Sequence, residues 1–438
     1  MTTQPPGPPS SAAGETDQPQ PPPRRWAGLF HHHDFRQLWI GDTISQFGTQ
    51  LTILALPVLA VQVLDASEFE MGLLGTFEFL AFLVIGLPAG AWVDRWRKKR
   101  VLVAGDIVRA LALASLPLAW VLDVLTFPQM LAVALVIGIC TVFFDVAYQS
   151  YLPDIVDQEH IGEGNAKLQA SQSVAMIGGP AIAGGLIKVM GAPLTIALDA
   201  LSFLGSAFFV RRISHVESPP PREDRRPLVV EIREGLSFVL NNPLLWRITA
   251  TTGIGNLFNN MTGVMLVLFC IRDLDLTPGH IGLAMGLGAG GGLLGALLTP
   301  RINRIVGEGR SIPLTALFWI PAGVMMPLAG TVIPPMVALT VSSLLVSFAV
   351  VVYNVTQVSF RQRLCPRPLL GRMNASIRFL VWGVMPIGGL LGGLLGQALG
   401  ARQVFWIGAF GAIVATLPVL ISPLLGMRDL PRELDKLS

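Results

Sequence analysis

Apolar residues along this chain gather in blocks of about twenty, each closed by a short polar or glycine- and proline-containing break. A block of that length crosses the hydrocarbon core of a bilayer as one helix, so the rhythm predicts a membrane protein. Twelve spans can be bracketed, near 37–63, 71–93, 101–125, 128–150, 165–189, 192–210, 244–271, 280–300, 311–331, 334–360, 373–398 and 401–425. The breaks are not alike in charge. If the chain starts on the cytoplasmic side, the cytoplasmic segments hold 24 lysines and arginines and the opposite segments hold three, Lys188, Arg272 and Arg402. That bias predicts both termini inside, in the cell membrane.

The longest break, 211–243, divides the spans six and six. Its second part places Val229, Ile232, Leu236 and Val239 on one helical face, the pattern of an amphipathic helix lying on the membrane surface. The expected organisation is a disordered tail over 1–35, a first six-helix bundle over 36–210 and the linker 211–243. A second bundle follows over 244–425, then a tail over 426–438. Two glycine-rich stretches echo across the linker. "GGLLGALLTPRINR" aligns Gly295 with Gly90 at an offset of 205 residues, and "MPIGGLLGGLLG" aligns Pro386 with Pro180 at 206. A duplicated bundle with a binding site between its halves is a common transporter plan.

Composition agrees. The 438 residues are 52% hydrophobic and only 13% charged, with a mean hydropathy of +0.60, whereas soluble domains carry about 25% charged residues. Cys140, Cys270 and Cys365 lie far apart and make no ligand pair or disulfide framework. The "HHH" at 31–33 has no companion at metal-ligand spacing, so no metal is expected. No phosphate-binding G-x-x-x-x-G-K-[ST] loop occurs, so no nucleotide cofactor is expected and a proton gradient is the expected driving force. The densest basic cluster, "AGAWVDRWRKKR" at 89–100, follows a span and shares the side bias of the other loops. That accounts for it without a nucleic-acid partner.

These features resemble the major facilitator superfamily. Twelve spans in two halves carry G-x-x-x-D-R-x-x-[RK]-[RK] between the second and third, here Gly90, Asp94, Arg95, Lys98 and Lys99. "FRQLWIGDTISQFGTQLT", "FFDVAYQSYLPDIVDQEHIGEGNA", "GPAIAG", "DALSF" and "LLGRMNASIRFLVWGVMPIGG" resemble recurring blocks of the branch that holds siderophore and macrolide exporters. The likeness runs from residue 35 to about 425. It implies an all-α fold of two pseudo-symmetric six-helix bundles that works as a monomer in the lipid bilayer on a small-molecule substrate. Two departures stand out: Arg97 occupies a position where the family usually has glycine, and Thr299 and Pro300 replace the Asp-Arg pair in the second half.

Ionisable residues inside spans cost about 2.5–3.5 kcal/mol on insertion scales and so call for a partner or a role. Asp42 heads a polar stripe in span one, with Ser45, Gln46, Thr49 and Thr52 at helical spacing. It reads either as a proton site in a wet cavity or as half of an ion pair. Glu78 in span two is a second proton-coupling candidate. Asp199 in span six is read as structural. Asn256 and Asn259 in span seven and Tyr353, Asn354 and Gln357 in span ten form similar stripes, as cavity residues or as interhelical hydrogen bonds. The resemblance places spans one, seven and ten around the cavity. Arg378 in span eleven would bind an anionic group or pair with Asp42. Asp106, Arg109 and Asp145 lie near the membrane face of Asp94 and Arg95, and the five are read as one ion-pair network. The resemblance implies that this network latches the two halves. The expected function is proton-coupled efflux of a hydrophobic or amphipathic small molecule by alternating access. A uniporter or importer with structural acids, and a membrane-embedded receptor or enzyme, are the alternatives.

Overall fold

A computed structural model describes residues 28–93, 95–157, 160–217, 228–365 and 370–428. Among them lie fourteen α-helices and no strand: α1 (His33–Val63), α2 (Glu68–Val93), α3 (Lys98–Val121), α4 (Phe127–Ile155), α5 (Ile161–Arg211), α6 (Leu228–Asn241) and α7 (Pro243–Arg272), then α8 (Pro278–Val306), α9 (Glu308–Ala316), α10 (Trp319–Met325), α11 (Pro335–Leu364), α12 (Leu370–Trp382), α13 (Met385–Leu399) and α14 (Ala401–Leu420).

Ten of the helical stretches are long and apolar enough to cross a bilayer. Helix α5 has 51 residues, about 76 Å of helix and far more than one crossing needs. It folds back at Gly191, whose φ of +83° lies where an L side chain is strained. Helices α9 and α10 together make one further crossing, broken at Leu317–Phe318. Pro321 has no N–H to donate to the Leu317 carbonyl four residues earlier, which ends the α-helical ladder there. The same effect at Pro386 separates α12 from α13, whereas Pro180 sits inside α5 without interrupting it. Counting α5 twice, and the α9–α10 and α12–α13 pairs once each, gives twelve crossings.

The two halves repeat at the level of single turns. The α1–α2 corner turns at Asp65 (φ +51°), with the Ala66 N–H donating to Ala60 O. The α7–α8 corner turns at Asp275 (φ +51°), with the Leu276 N–H donating to Cys270 O. Ser67 and Thr277 then start the next helices, each hydroxyl accepting the N–H three residues on. These pairs are 210 residues apart. Gly191 matches Gly400, which turns between α13 and α14 at φ +90°. The α8–α9 connection turns at Gly307 (φ +97°), but its first-half counterpart runs through Arg97 with φ −73° and ψ 115°. An extended N-cap therefore opens α3, and no left-handed residue is required where the family has glycine.

Helix α6 forms within the linker. Val239 is buried against Leu244 and Met373, and Gly235 approaches α12 so closely that an added Cβ would stand 2.5 Å from Arg372 O. Glu234 pairs with Arg372. Gly235 and Val239 of this helix thus pack on the second half. The side chains of Val229 and Ile232 lie outside the described residues.

Between halves, α2 packs on α13 and α5 on α8. Both contacts are backbone to backbone. A Cβ on Gly72 would stand 2.7 Å from Gly389 O, and one on Gly184 would stand 2.6 Å from Pro278 O. Small residues of this kind let membrane helices approach closely. Gly72, Gly389 and Gly184 lie toward the end of the bundle remote from the arginine-rich loops. There Asp65 also pairs with Arg272 across the halves at 2.5 Å. The halves are therefore drawn together at that end.

Candidate functional site

A cavity of about 430 Å³ opens in the bundle. Its walls come from α7, α8, α10, α11 and α14, with Gln50, Met176 and Pro180 the contributions of the first half. The helices around it approach through small residues. Gly408 and Gly411 of α14 leave room for Thr262 and Phe258, and Gly323 of α10 lies 3.2 Å from Ala409 by the same Cβ measure. Of the sequence-predicted cavity residues, Asn256, Asn259, Tyr353 and Asn354 line it.

Two of these also hold the scaffold. The Tyr353 hydroxyl lies 3.0 Å from Thr252 Oγ1 and donates to Ile248 O at 3.2 Å. Asn256 Nδ2 donates to Val381 O at 2.7 Å, and its neighbour Asn260 donates to Met385 O at 2.6 Å. Thr76 of the first half donates to Pro386 O. The three bonds fall on carbonyls around the α12–α13 break, where the ladder is interrupted. Freed backbone groups at membrane depth need such partners.

Gln46, Thr49, Gln357 and Arg378 do not line the cavity. Gln357 is buried with its amide donating to Asn354 Oδ1 at 3.1 Å. On α1 the predicted stripe faces the interior of its own half. Thr52 donates to Asp199, Ser202 donates to the same carboxyl at 2.9 Å, and Gln46 donates to Asp42 Oδ1 at 3.4 Å. Gly48 makes this possible, since a Cβ there would overlap Asp199 and Ser202. The α1 residue that reaches the cavity is Gln50, one step outside the stripe.

The polar interior of the first half centres on Arg109. Its guanidinium pairs with Asp106 at 2.5 Å and lies 4.3 Å from the ring centroids of both Phe144 and Phe203, all deeply buried. Asp145 and Asp199 are within its electrostatic reach, and Asp42 feels Asp106 and Asp145 and lies against the Tyr148 hydroxyl. Carboxyls from α3, α4 and the second arm of α5 thus share the field of one guanidinium, and Asp42 of α1 borders them. Asp199, expected to be structural, belongs to this group. Glu78 stands apart on α2 beside Gly138, with no hydrogen bond or ion pair among the described residues.

Arg378 approaches Asp145 from the other half and stacks on Trp382 at 5.3 Å, and Trp382 in turn meets Phe82 at 4.9 Å. Asp145 feels the charge of Arg378, with no ion pair between the two among the described residues. The basic run makes contacts of its own. Lys98 donates to Ser150 O and Asp154 at 2.8 and 2.7 Å, while the Lys99 backbone N–H donates to Glu217 and its ammonium to Ile213 O in the linker. Arg95 is exposed with no ion pair among the described residues. Gly90 is open around its Cβ position, and Asp94 lies outside the described residues.

The model of the Major Facilitator Superfamily matches residues 38–389, most of the chain. The chain belongs to this superfamily. Among its relatives, the multidrug efflux pump Tap of Mycolicibacterium fortuitum is 28% identical over 392 residues, covering 85% of this chain and 90% of the pump. Macrolide efflux protein A of Streptococcus pyogenes is 22% identical over 397 residues, covering 88% and 94%. Solved superfamily members share the fold. A nucleoside transporter, NupG, superposes with a TM-score of 0.71 at 13% identity, over 88% of this chain and 98% of that one. A bacterial homologue of the iron transporter ferroportin, 18% identical over 88% and 98%, gives 0.72 in its inward-facing state and 0.58 in its outward-facing state. As a superfamily member with many apolar helices, the protein is an integral membrane transporter.

Proposed function

We propose that the protein exports a hydrophobic or amphipathic small molecule from the cell in exchange for protons, by alternating access. The observation that carries this reading is the pairing of a mostly apolar 430 Å³ cavity with a separate buried group of four carboxyls and one guanidinium. The cavity binds cargo. The four carboxyls hold more potential negative charge than Arg109 and, from the other half, Arg378 balance, a surplus that proton uptake relieves in a medium where unpaired charge is costly. Asp42, which accepts from the Gln46 amide and lies against the Tyr148 hydroxyl, is one candidate for that proton, and Glu78 is a second. The named relatives are efflux pumps, which supports the direction. The excess of cations on one set of loops supports cytoplasmic termini. Contacts at the opposite end then close the outer face, leaving the cavity to load from the cytoplasm.

The test uses proteoliposomes with an imposed pH gradient and the panel of compounds to which expressing cells become resistant. Uphill movement should follow the gradient. Asp42→Asn with Glu78→Gln should lose uphill movement and keep downhill exchange. Equal movement with and without the gradient in the unmodified protein would sink proton coupling.

A further inference from the structure

We infer that Gln46 and Gln50 form a two-amide relay along α1, through which the charge of Asp42 sets the hydrogen-bonding face that Gln50 shows to the cavity. Gln50 is then a residue that touches cargo, and Gln46 a positioning residue that acts through it. The inference rests on the exchange reading above and adds the route that joins its two sites.

The need for a route follows from the walls. A ligand shifts a conformational balance only by its differential affinity for the two states. A cargo held by the second half alone would move with that half and feel nothing of the first. Of the first-half residues in the wall, Met176 and Pro180 are apolar, so Gln50 is the polar contact available. Gly179 of α5 puts it there, since a Cβ on that glycine would stand 2.4 Å from the Gln50 Cβ and 2.6 Å from its Cγ. The glutamine stem passes over bare backbone. Its half-buried amide makes no hydrogen bond among the described residues and stays accessible.

Helix geometry supplies the connection. Residues four apart overshoot a full turn by about 40°, so Asp42, Gln46 and Gln50 form a row that winds from the acids toward the cavity. Gln46 Nε2 donates to Asp42 Oδ1 at 3.4 Å, and its carbonyl has no partner among the described residues. An ionised carboxylate only accepts, which fixes that direction. The Gln46 carbonyl is then free to accept from the Gln50 N–H, directly or through one water, and Gln50 offers its own carbonyl to cargo. A protonated Asp42 carries a donor. The Gln46 amide then turns over, accepts from Asp42 and passes its N–H to Gln50, which offers an N–H instead. The proton taken up by Asp42 is the one covalent change. Cargo thus meets an acceptor in one state and a donor in the other.

The groups that act on Asp42 from neighbouring helices are Asp106 of α3 and Asp145 and Tyr148 of α4, and none of α7 or α8 is among them. Arg109 stands behind Asp106. On α5, Asp199 is held by Thr52 and Ser202, and Lys167 is paired with Glu163.

The test is pH-difference infrared spectroscopy of the purified full-length protein in lipid vesicles, with glutamine side-chain carbonyls labelled with carbon-13. It needs no cargo. Acidification should raise a protonated-carboxyl band and shift a labelled amide band. Asp42→Asn should lose both changes, and Gln50→Met should lose the amide shift alone. Gln46→Leu should keep the carboxyl band and abolish the Gln50 shift, and Gln46→Met, closer in shape, should do the same if leucine disturbs folding. A Gln50 shift that survives in the Gln46 variants, its absence from the unmodified protein, or a carboxyl band untouched by Asp42→Asn would each overturn the relay. The proteoliposome assay separates the two readings. Expected bands without gradient-driven movement would overturn exchange alone. Gradient-driven movement with the amide shift intact in the Gln46 variants would overturn the relay alone.

Discussion

Gly184 and Gly185 are adjacent on α5, and the structure predicts opposite consequences for the same substitution. A Cβ on Gly184 would stand 2.6 Å from Pro278 O and 3.1 Å from the Cα atoms of Gly279 and Gly282, whereas one on Gly185 meets nothing within 4 Å. The clashing atoms are backbone, so no side chain can swing aside; the halves must separate by most of an ångström. Overpacking of this kind costs about 1–3 kcal/mol, which shifts a two-state balance about 5- to 150-fold away from the form with the outer face closed. Alanine raises helix propensity equally at both sites, by about 1 kcal/mol, so the difference between the two variants isolates the clash. Spin labels at Val189 and Val332, both exposed, near that end and in different halves, report the separation by pulsed dipolar spectroscopy. Gly184→Ala should populate a longer distance and slow transport, while Gly185→Ala should match the unsubstituted protein. Superimposable distance distributions for the two variants would refute the claim that these glycines close the outer face.

Three further outcomes can be checked. Removing the buried cation with Arg109→Met should destabilise the detergent-solubilised protein by about 3–5 kcal/mol, since Asp106 is left buried and unpaired, and a double variant with Asp106→Leu should recover much of the loss in a thermal melt. Asp34, before the first span, is disfavoured as an anion by burial. The Ser214 N–H, His33 and the His215 N–H together outweigh that and hold its carboxyl below the ordinary value of 3.8. Its folded value is depressed, so its stabilisation is complete above 3.8 and is lost as pH falls through the lower folded value. Asp34→Asn should therefore lower stability at neutral pH and flatten the acid-side decline below pH 4. Arg378→Gln, which removes the charge facing Asp145 across the halves, should change the rate of exchange more than the affinity of the cavity for cargo.

The spans and the duplication were legible because the bilayer imposes them locally. A run of about twenty apolar residues has one low-energy use, and cations accumulate on one side whatever the fold. The Asn256 and Tyr353 stripes were also legible, since a polar face on an apolar helix must avoid lipid. What it turns toward was not. Asp42, Gln46 and Thr52 avoid lipid by meeting Asp199 and Arg109's group inside one half, while Gln50, outside the stripe, reaches the cavity. Periodicity cannot separate these destinations, because a neighbouring helix and a wet cavity satisfy a polar face equally well. Trp319 carried no signal in sequence: a tryptophan in an apolar block fits a lipid-facing position as readily as a pocket wall, and only the break at Pro321 and the packing of α10 on α14 aim it inward. The chain by itself determined how often it crosses the membrane and which ends are basic, since each crossing is a transaction between one segment and the solvent. Tertiary structure alone decided which polar faces share a site, because that depends on how helices distant in sequence rotate against one another, and their apolar surfaces gain nothing from lipid that they do not gain from each other.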